Sequence, residues 1–307
     1  MTWSNLPASS AAMRRLSTAA SSCASDRSAG SHAAGPVLHD QDRPGSASVS
    51  SRRSPVVLAI GGLLALAVSI GIGRFVYTPI LPVMVDGLGL SNAEAGLIAS
   101  VNLLGYFIGT LFAALPSLSG SRRFWLLTSL ATCALTTGVM GLAPGVATFI
   151  VLRFACGVAS AIAFVLATSI VAEELKAARR SGLSSLHFAG VGLGISASAV
   201  IVSAGISQGA QWQSLWFASA GVSILAIIAV AILIPGNAGC HDATVFTRAH
   251  AYRASSKQGL RFLVLAYGLF GFGYIIAATF LVSIVRANSG LREVEPIVWL
   301  VVGLTAA

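Results

Sequence analysis

Residues 55–85 read PVVLAIGGLLALAVSIGIGRFVYTPILPVMV, an apolar run in which Arg74 is the only side chain with a charge. An α-helix rises about 1.5 Å per residue, so roughly 20 apolar residues cross the ~30 Å hydrocarbon core of a bilayer. The run exceeds that minimum. It therefore predicts a membrane-spanning helix that carries one arginine at membrane depth.

The rest of the chain repeats this apolar pattern. Its residues are 55% hydrophobic and 9% charged, with a mean hydropathy of +0.83, whereas an ordinary soluble domain has roughly 25% charged residues. We predict an all-α, polytopic membrane protein. The predicted spans are residues 55–80, 92–115, 124–142, 145–171, 183–206, 213–235 and 260–285. A last run, 296–307, would rise only about 18 Å as a helix, so we expect a C-terminally truncated chain.

The charged residues are distributed unevenly between the loops. A net charge of +9 and a pI near 10.1 also occur in nucleic-acid-binding proteins. Here the Lys and Arg residues lie in every second segment between the apolar runs, which is the positive-inside pattern of membrane proteins. We therefore predict a cytoplasmic N-terminus and a lipid bilayer, not nucleic acid, as the partner. The basic residues are Arg14, Arg15, Arg27, Arg43, Arg52 and Arg53, then Arg122 and Arg123, then Lys176, Arg179 and Arg180, then Arg248, Arg253, Lys257 and Arg261.

Composition and an internal match divide the chain into four parts. Residues 1–54 are rich in Ser and Ala and predict a disordered cytoplasmic tail, with a transit peptide or an over-extended start as alternatives. Residues 55–235 predict a six-helix half, and the polar segment 236–259 predicts a cytoplasmic loop. Residues 260–307 would begin a second half, with helix seven and a partial helix eight. Residues 63–85 match 263–285 at five positions, including both glycines of a Gly-x-Gly, which favours two related halves.

Two arginines are predicted at comparable depth in the outer half of the membrane. Arg74 lies deep in the first span, and Arg153 lies in the fourth span, which runs in the opposite direction. A guanidinium in hydrocarbon costs at least ~2.5 kcal/mol, so it normally faces a cavity or a partner. We predict that both heads bind substrate. The alternatives are a structural clamp on backbone carbonyls and snorkelling to the interface.

Three further polar residues are candidates for the same path. Tyr77 falls three residues beyond Arg74, on the same helix face. Asn102 provides an amide at span depth, and His187 titrates near neutral pH, so it is a candidate proton relay, with an ordinary hydrogen-bonded histidine as the alternative. By contrast, Ser91 and Glu94 have the spacing of a capping box, which gives Glu94 a structural role.

Three sequence strings resemble a known transporter family. They are GIGRFVYTPILP at 71–82, RFACG at 153–157 and HFAGVGLG at 187–194. The first and third are similar to the YbfB/YjiJ family of major facilitator superfamily transporters, and the second is similar to the superfamily's fourth-helix Arg and Gly pattern. The resemblance implies a major facilitator-type helix bundle in a multi-pass membrane protein, and a bacterial inner (plasma) membrane. It also implies that Arg153 acts in proton coupling or substrate binding.

These observations lead to a transport hypothesis. We expect a secondary active transporter that moves a small polar or anionic molecule by alternating access, with proton coupling as a further hypothesis. The sequence shows no cluster of His, Asp, Glu or Cys at reactive or metal-binding spacing, so we expect neither an enzyme nor a cofactor. The alternative is a truncated, non-transporting remnant that serves packing or interaction.

Overall fold

The computed structural model describes residues 54–114, 121–234, 257–288, 290 and 294–307, which form helices and turns without a β-strand. Five segments of this part of the chain are long and apolar enough to cross a membrane. They are Pro55–Leu88, Asn92–Ala113, Val146–Ala177, Ser181–Ser207 and Trp212–Leu233. The predicted all-α, polytopic membrane fold is therefore confirmed.

The described helices follow the predicted apolar runs, except that the first run contains two helices. The helices are α1 Pro55–Leu66, α2 Tyr77–Leu88, α3 Asn92–Ala113, α4 Arg122–Met140, α5 Val146–Ala177, α6 Ser184–Ser207, α7 Trp212–Leu233, α8 Lys257–Ala287 and α9 Glu295–Thr305. Most of the predicted tail, 1–54, and of the predicted loop, 236–259, lies outside the described residues. The division into two halves therefore stays a prediction.

Local capping fixes the start of α3. The Ser91 hydroxyl accepts a hydrogen bond from the Glu94 backbone N–H at 3.2 Å, and the Glu94 carboxylate accepts one from the Ser91 N–H at 2.9 Å. These reciprocal bonds satisfy two donors that a helix N-terminus leaves without partners. The capping-box role predicted for Glu94 is confirmed.

Small residues let neighbouring helices approach closely. An added Cβ at Gly109 of α3 would lie 2.5 Å from the Val158 carbonyl oxygen of α5, and one at Gly194 of α6 would lie 2.5 Å from the Ala67 oxygen. Gly105 meets the backbone of Phe154 in the same way. Contacts this short leave no room for a side chain, so glycine at these positions allows the helices to pack closely.

The 19-residue helix α4 is more polar than its neighbours. The hydroxyls of Thr128, Thr132 and Thr136 each donate to the carbonyl oxygen four residues earlier in the helix. The helix packs between α5 and α7. Because these three hydroxyls are satisfied within the helix, they can lie in apolar surroundings.

The two helices that follow the predicted central loop pack on helices that precede it. Helix α8 contacts α2, and α9 contacts α6. The indole N–H of Trp299 in α9 donates to the Ser198 hydroxyl in α6 at 3.1 Å, and both side chains are buried. These contacts bring α9 next to the break in the first span, where the predicted site residues lie.

Candidate functional site

The first span breaks between α1 and α2. Residues Ala67–Ile72 form a π-helical turn, and the N–H groups of Gly73 and Phe75 donate to carbonyls five residues earlier, at 2.8 and 3.3 Å. A regular α-helix would bond four residues back. The break precedes both prolines of the run, at 79 and 82. It places the Gly73 and Arg74 carbonyls where side chains can reach them.

Arg153 binds these two carbonyl groups. Its Nη1 donates to the Gly73 oxygen and its Nη2 to the Arg74 oxygen, both at 2.9 Å. The guanidinium also lies over the Tyr77 ring, 5.1 Å from its centre, and the residue is only 3% exposed. A planar fork of donors fits two adjacent acceptors, so in this conformation Arg153 forms the structural clamp considered above. Its predicted contact with substrate stays a prediction.

Tyr77 and Asn102 bind backbone oxygens on neighbouring helices. The Tyr77 hydroxyl donates to the Ala95 oxygen at 2.9 Å, and the Asn102 amide donates to the Arg153 oxygen at 2.8 Å. Both residues are 1% exposed. They join α2 to α3 and α3 to α5. Their predicted contact with substrate would require these bonds to exchange in another conformation.

Arg74 has different surroundings from Arg153. Its guanidinium carbon lies 4.9 Å from the centre of the Tyr106 ring and 5.3 Å from that of Phe75. The Tyr274 side chain of α8 is close enough to interact electrostatically with the Arg74 guanidinium. Within the part of the chain that the structure describes, the Arg74 side chain has no carboxylate and no hydrogen-bond acceptor as a partner. Cation–π contact with two rings offsets only part of the cost of removing this charge from water.

The two arginines line one small cavity of about 20 Å³, together with Tyr77, Asn102 and Thr78. That volume is roughly the size needed for one water molecule. The sequence therefore predicted correctly that the Arg74 and Arg153 side chains lie close together. It did not show that two nitrogens of the Arg153 guanidinium donate to backbone oxygens, whereas the Arg74 guanidinium has no acceptor among the described residues.

His187 lies outside this cavity. It belongs to α6 and packs against α1 and α5. Its Nε2 atom is 3.3 Å from the Thr168 hydroxyl, its Nδ1 atom lies against Gly62, and its ring meets Phe188 at an edge. The residue is 1% exposed and does not line the cavity that the arginines share. Proton relay by His187 stays a prediction.

Three aromatic residues of this region were not among the predicted site residues. Tyr106 and Phe75 lie against Arg74, and Trp299 packs on Phe75 with ring centres 6.1 Å apart. Tyr106 falls four residues after Asn102, so its place on the same face of α3 was readable from spacing. For Phe75 and Trp299 there was no such signal, because aromatic residues are common in apolar spans.

Comparison with known proteins identifies the fold family. A family model described as an uncharacterised MFS-type transporter, YbfB, matches residues 66–307. The chain belongs to this family. MFS denotes the major facilitator superfamily, so both the predicted resemblance and the predicted helix-bundle type are confirmed.

One curated protein resembles this MFS chain in sequence, and one solved structure resembles it in fold. It is 25% identical, over 213 residues, to an uncharacterised MFS-type transporter, YceJ, of Bacillus subtilis (strain 168); the match covers 69% of the chain and 54% of that protein. The crystal structure of a D-xylose-proton symporter superposes with a TM-score of 0.56 at 15% identity, covering 81% of the chain and 65% of the symporter. The MFS chain thus spans about half the length of its curated relative.

Proposed function

We propose that the protein forms part of a secondary active transporter that moves a small anionic molecule across a bacterial plasma membrane by alternating access. In this mechanism two helical halves rock about a site near the middle of the membrane. The family and the fold support transport in general. The observation that carries the choice of substrate is the environment of Arg74.

Arg74 is a charged group at membrane depth that the described protein does not neutralise. It is half-buried, it faces two aromatic rings, and it shares a cavity with Arg153. A charge in such a position costs about 2.5–3.5 kcal/mol at the centre of a span unless it gains a partner. A carboxylate or phosphate oxygen on a substrate would supply that partner and would recover part of the cost on binding.

The geometry favours one negative charge on the substrate. Arg153 already donates to two carbonyl oxygens, whereas Arg74 can offer its planar donors to a bidentate anion such as a carboxylate. The Phe75 and Tyr106 rings would pack against the apolar part of such a molecule. D-xylose, the sugar named for the structural neighbour, has no charge, so we do not transfer that substrate to this chain.

His187 is the group that we propose for proton coupling. It is enclosed by α1, α5 and α6 in this conformation, with Thr168 as a hydrogen-bond contact. A relay residue must meet water on at least one side during the cycle. Rocking of one half against the other would provide that exposure. The proposal also places the N-terminus in the cytoplasm, following the distribution of basic residues.

The test compares Arg74→Lys and Arg74→Ala in uptake of a panel of radiolabelled monocarboxylates into cells that produce the protein. Lysine keeps the charge but loses the planar, five-donor fork. Both variants should therefore lose most of the uptake that the parental protein shows. Arg180→Lys and Arg180→Ala are matched controls, because Arg180 is exposed and lies in a basic loop. Equal amounts of membrane-inserted protein must be verified for each variant. Unchanged uptake in both Arg74 variants would refute the proposed role of Arg74.

A further inference from the structure

Two buried cysteines lie against each other between α4 and α5. Cys133 of α4 is 1% exposed and Cys156 of α5 is 2% exposed, and together with Ala159 they form a separate buried cluster. The Cys133 thiol donates to the Cys156 backbone oxygen, which lies 3.8 Å from its sulfur, and the two thiols are also in hydrogen-bond contact. Both are free thiols. Because they are 23 residues apart in the chain, only the fold brings them together.

Cys156 also reaches the break in the first span. Its thiol donates to the Gly73 oxygen at 3.2 Å, and Arg153 Nη1 donates to the same oxygen at 2.9 Å. The Cys156 sulfur and the Arg153 guanidinium therefore meet at one carbonyl group, and Arg153 interacts more strongly with Cys156 than with Cys133. A neighbouring cation favours the negative charge that a sulfur develops as it loses its proton and attacks. Cys156 is thus the better nucleophile of the two.

The small cavity beside Arg153 gives a small reagent a route towards Cys156. Arg153 lines this cavity, whose volume of about 20 Å³ is roughly that needed for one water molecule. Hydrogen peroxide is uncharged and only one oxygen atom larger than water, and it oxidises thiols by two electrons. Bulky or charged thiol reagents do not fit such a space. The surroundings of Cys156 therefore select for a small peroxide.

We propose that Cys133 and Cys156 are a site of reversible oxidation to a disulfide by hydrogen peroxide, with Cys156 oxidised first. The Cys156 sulfur attacks one peroxide oxygen, an S–O bond forms, the O–O bond breaks, and the thiol proton leaves with the released hydroxyl group as water. The Cys133 sulfur then attacks the sulfur of this sulfenic acid. The S–S bond forms, the S–O bond breaks, and the Cys133 proton leaves with the hydroxyl group as a second water. The two thiols lose two electrons, and the peroxide gains them.

The disulfide would change the contacts at the helix break. Both S–H donors would be lost, so the Gly73 oxygen would keep the Arg153 donor but lose the Cys156 donor. A covalent bond would also join α4 to α5 beside the break. This inference does not depend on the proposed function, because neither the oxidation nor its detection requires a substrate.

The test uses the purified protein with Cys23→Ser and Cys240→Ser, which leaves Cys133 and Cys156 as its two thiols. The protein is treated with hydrogen peroxide and unfolded in detergent, its remaining thiols are alkylated, and its mass and those of its peptides are measured. Both thiols should be lost together, with a mass decrease of two hydrogen atoms and a linked pair of peptides. Dithiothreitol should restore both thiols.

Single substitutions in the same protein test the order of the two steps. With Cys133→Ser, oxidation should stop at the sulfenic acid of Cys156, which dimedone traps as an adduct. With Cys156→Ser, the Cys133 thiol should remain alkylatable and form no adduct. An adduct at Cys133 but not at Cys156 would overturn the proposed order.

Cys156→Ala/Ile162→Cys is the matched control. It keeps two buried thiols but moves one of them six residues along α5, into a different buried cluster from that of Cys133. This variant should form no intramolecular disulfide, and size-exclusion chromatography verifies that it is folded. The proposal would be overturned if the parental pair kept both thiols under peroxide, or if the control formed the disulfide to the same extent.

Discussion

At the residue scale, two arginines near the same helix break have different physical roles. Arg153 is 3% exposed and donates to the Gly73 and Arg74 oxygens. Its charge therefore interacts with the dipoles of two carbonyl groups at the helix break. The Arg74 side chain meets aromatic rings and, among the described residues, no acceptor. One guanidinium therefore holds the backbone in place, and the other is available to a ligand.

This difference predicts that the same substitution affects stability strongly at Arg153 and weakly at Arg74. Arg153→Lys keeps the charge but cannot reach both carbonyl oxygens with a planar fork, so it should lower the free energy of unfolding by about 1–3 kcal/mol. Arg74→Lys loses no hydrogen bond within the described protein and should change stability by less than about 1 kcal/mol. Thermal unfolding of the purified variants in detergent checks both values. A larger loss for Arg74→Lys would contradict the assignment of roles.

At the element scale, glycines decide how closely the helices pack and where the first span breaks. An added Cβ at Gly71 would collide with the backbone of Gly194, so the π-helical turn lies directly against α6. The prolines at 79 and 82 lie inside α2, after the break. The break therefore lies where the chain packs against α6, and not where a proline lacks its backbone N–H.

The close approach of α3 and α5 gives a prediction about glycine substitutions. Gly109→Ala would place a methyl group 2.5 Å from the Val158 carbonyl oxygen and 2.8 Å from its Cα atom. Because the obstructing atoms belong to the backbone, the helices must shift, and we expect a loss of about 1–3 kcal/mol in stability. The readout is the unfolding temperature of the purified protein in detergent.

Gly221→Ala is the control for this substitution. Gly221 lies inside α7, is exposed, and would place its methyl group with no described atom within 4 Å. Alanine favours helix over glycine by about 0.5–1 kcal/mol, so this variant should be neutral or slightly stabilised. Equal losses in the two variants would show that crowding between α3 and α5 does not limit stability.

At the scale of the whole molecule, contacts of α8 and α9 with α2 and α6 connect segments that are distant in sequence. The Asp86–Arg286 pair and the Trp299–Ser198 hydrogen bond are examples, with separations of 200 and 101 residues. Neither is visible as a local pattern. The internal match at an offset of 200 residues nevertheless indicated that α2 and α8 are equivalent elements.

The orientation of the molecule in the membrane is a prediction that two exposed positions can test. Gln208 lies in a loop predicted to be external, and Ala178 lies in a basic loop predicted to be cytoplasmic. With an impermeant thiol reagent added outside intact cells, Gln208→Cys should be labelled and Ala178→Cys should not. Gln208 is preferable to its neighbour Gly209, whose φ of 70° disfavours a side chain. The reverse labelling pattern would invert the predicted topology.

The sequence by itself determined the helical class, the approximate helix positions, the α3 cap and the proximity of the two arginines. The predicted span 92–115 compares with α3 at Asn92–Ala113, for example. These features follow from local causes, because hydropathy, helix rise and capping depend on residues a few positions apart. The three strings that resemble the transporter family are also short stretches of neighbouring residues, so they could be recognised in the sequence.

Only the tertiary structure decided where the first span breaks, which arginine donates to backbone oxygens, and which rings lie against Arg74. Arg153 reaches carbonyls about 80 residues away, and their availability depends on how α1 and α6 pack. Tyr106 and Trp299 reach the site from α3 and α9. The partners of a buried charge are chosen by the packing of several helices together, and no single segment of sequence contains that information.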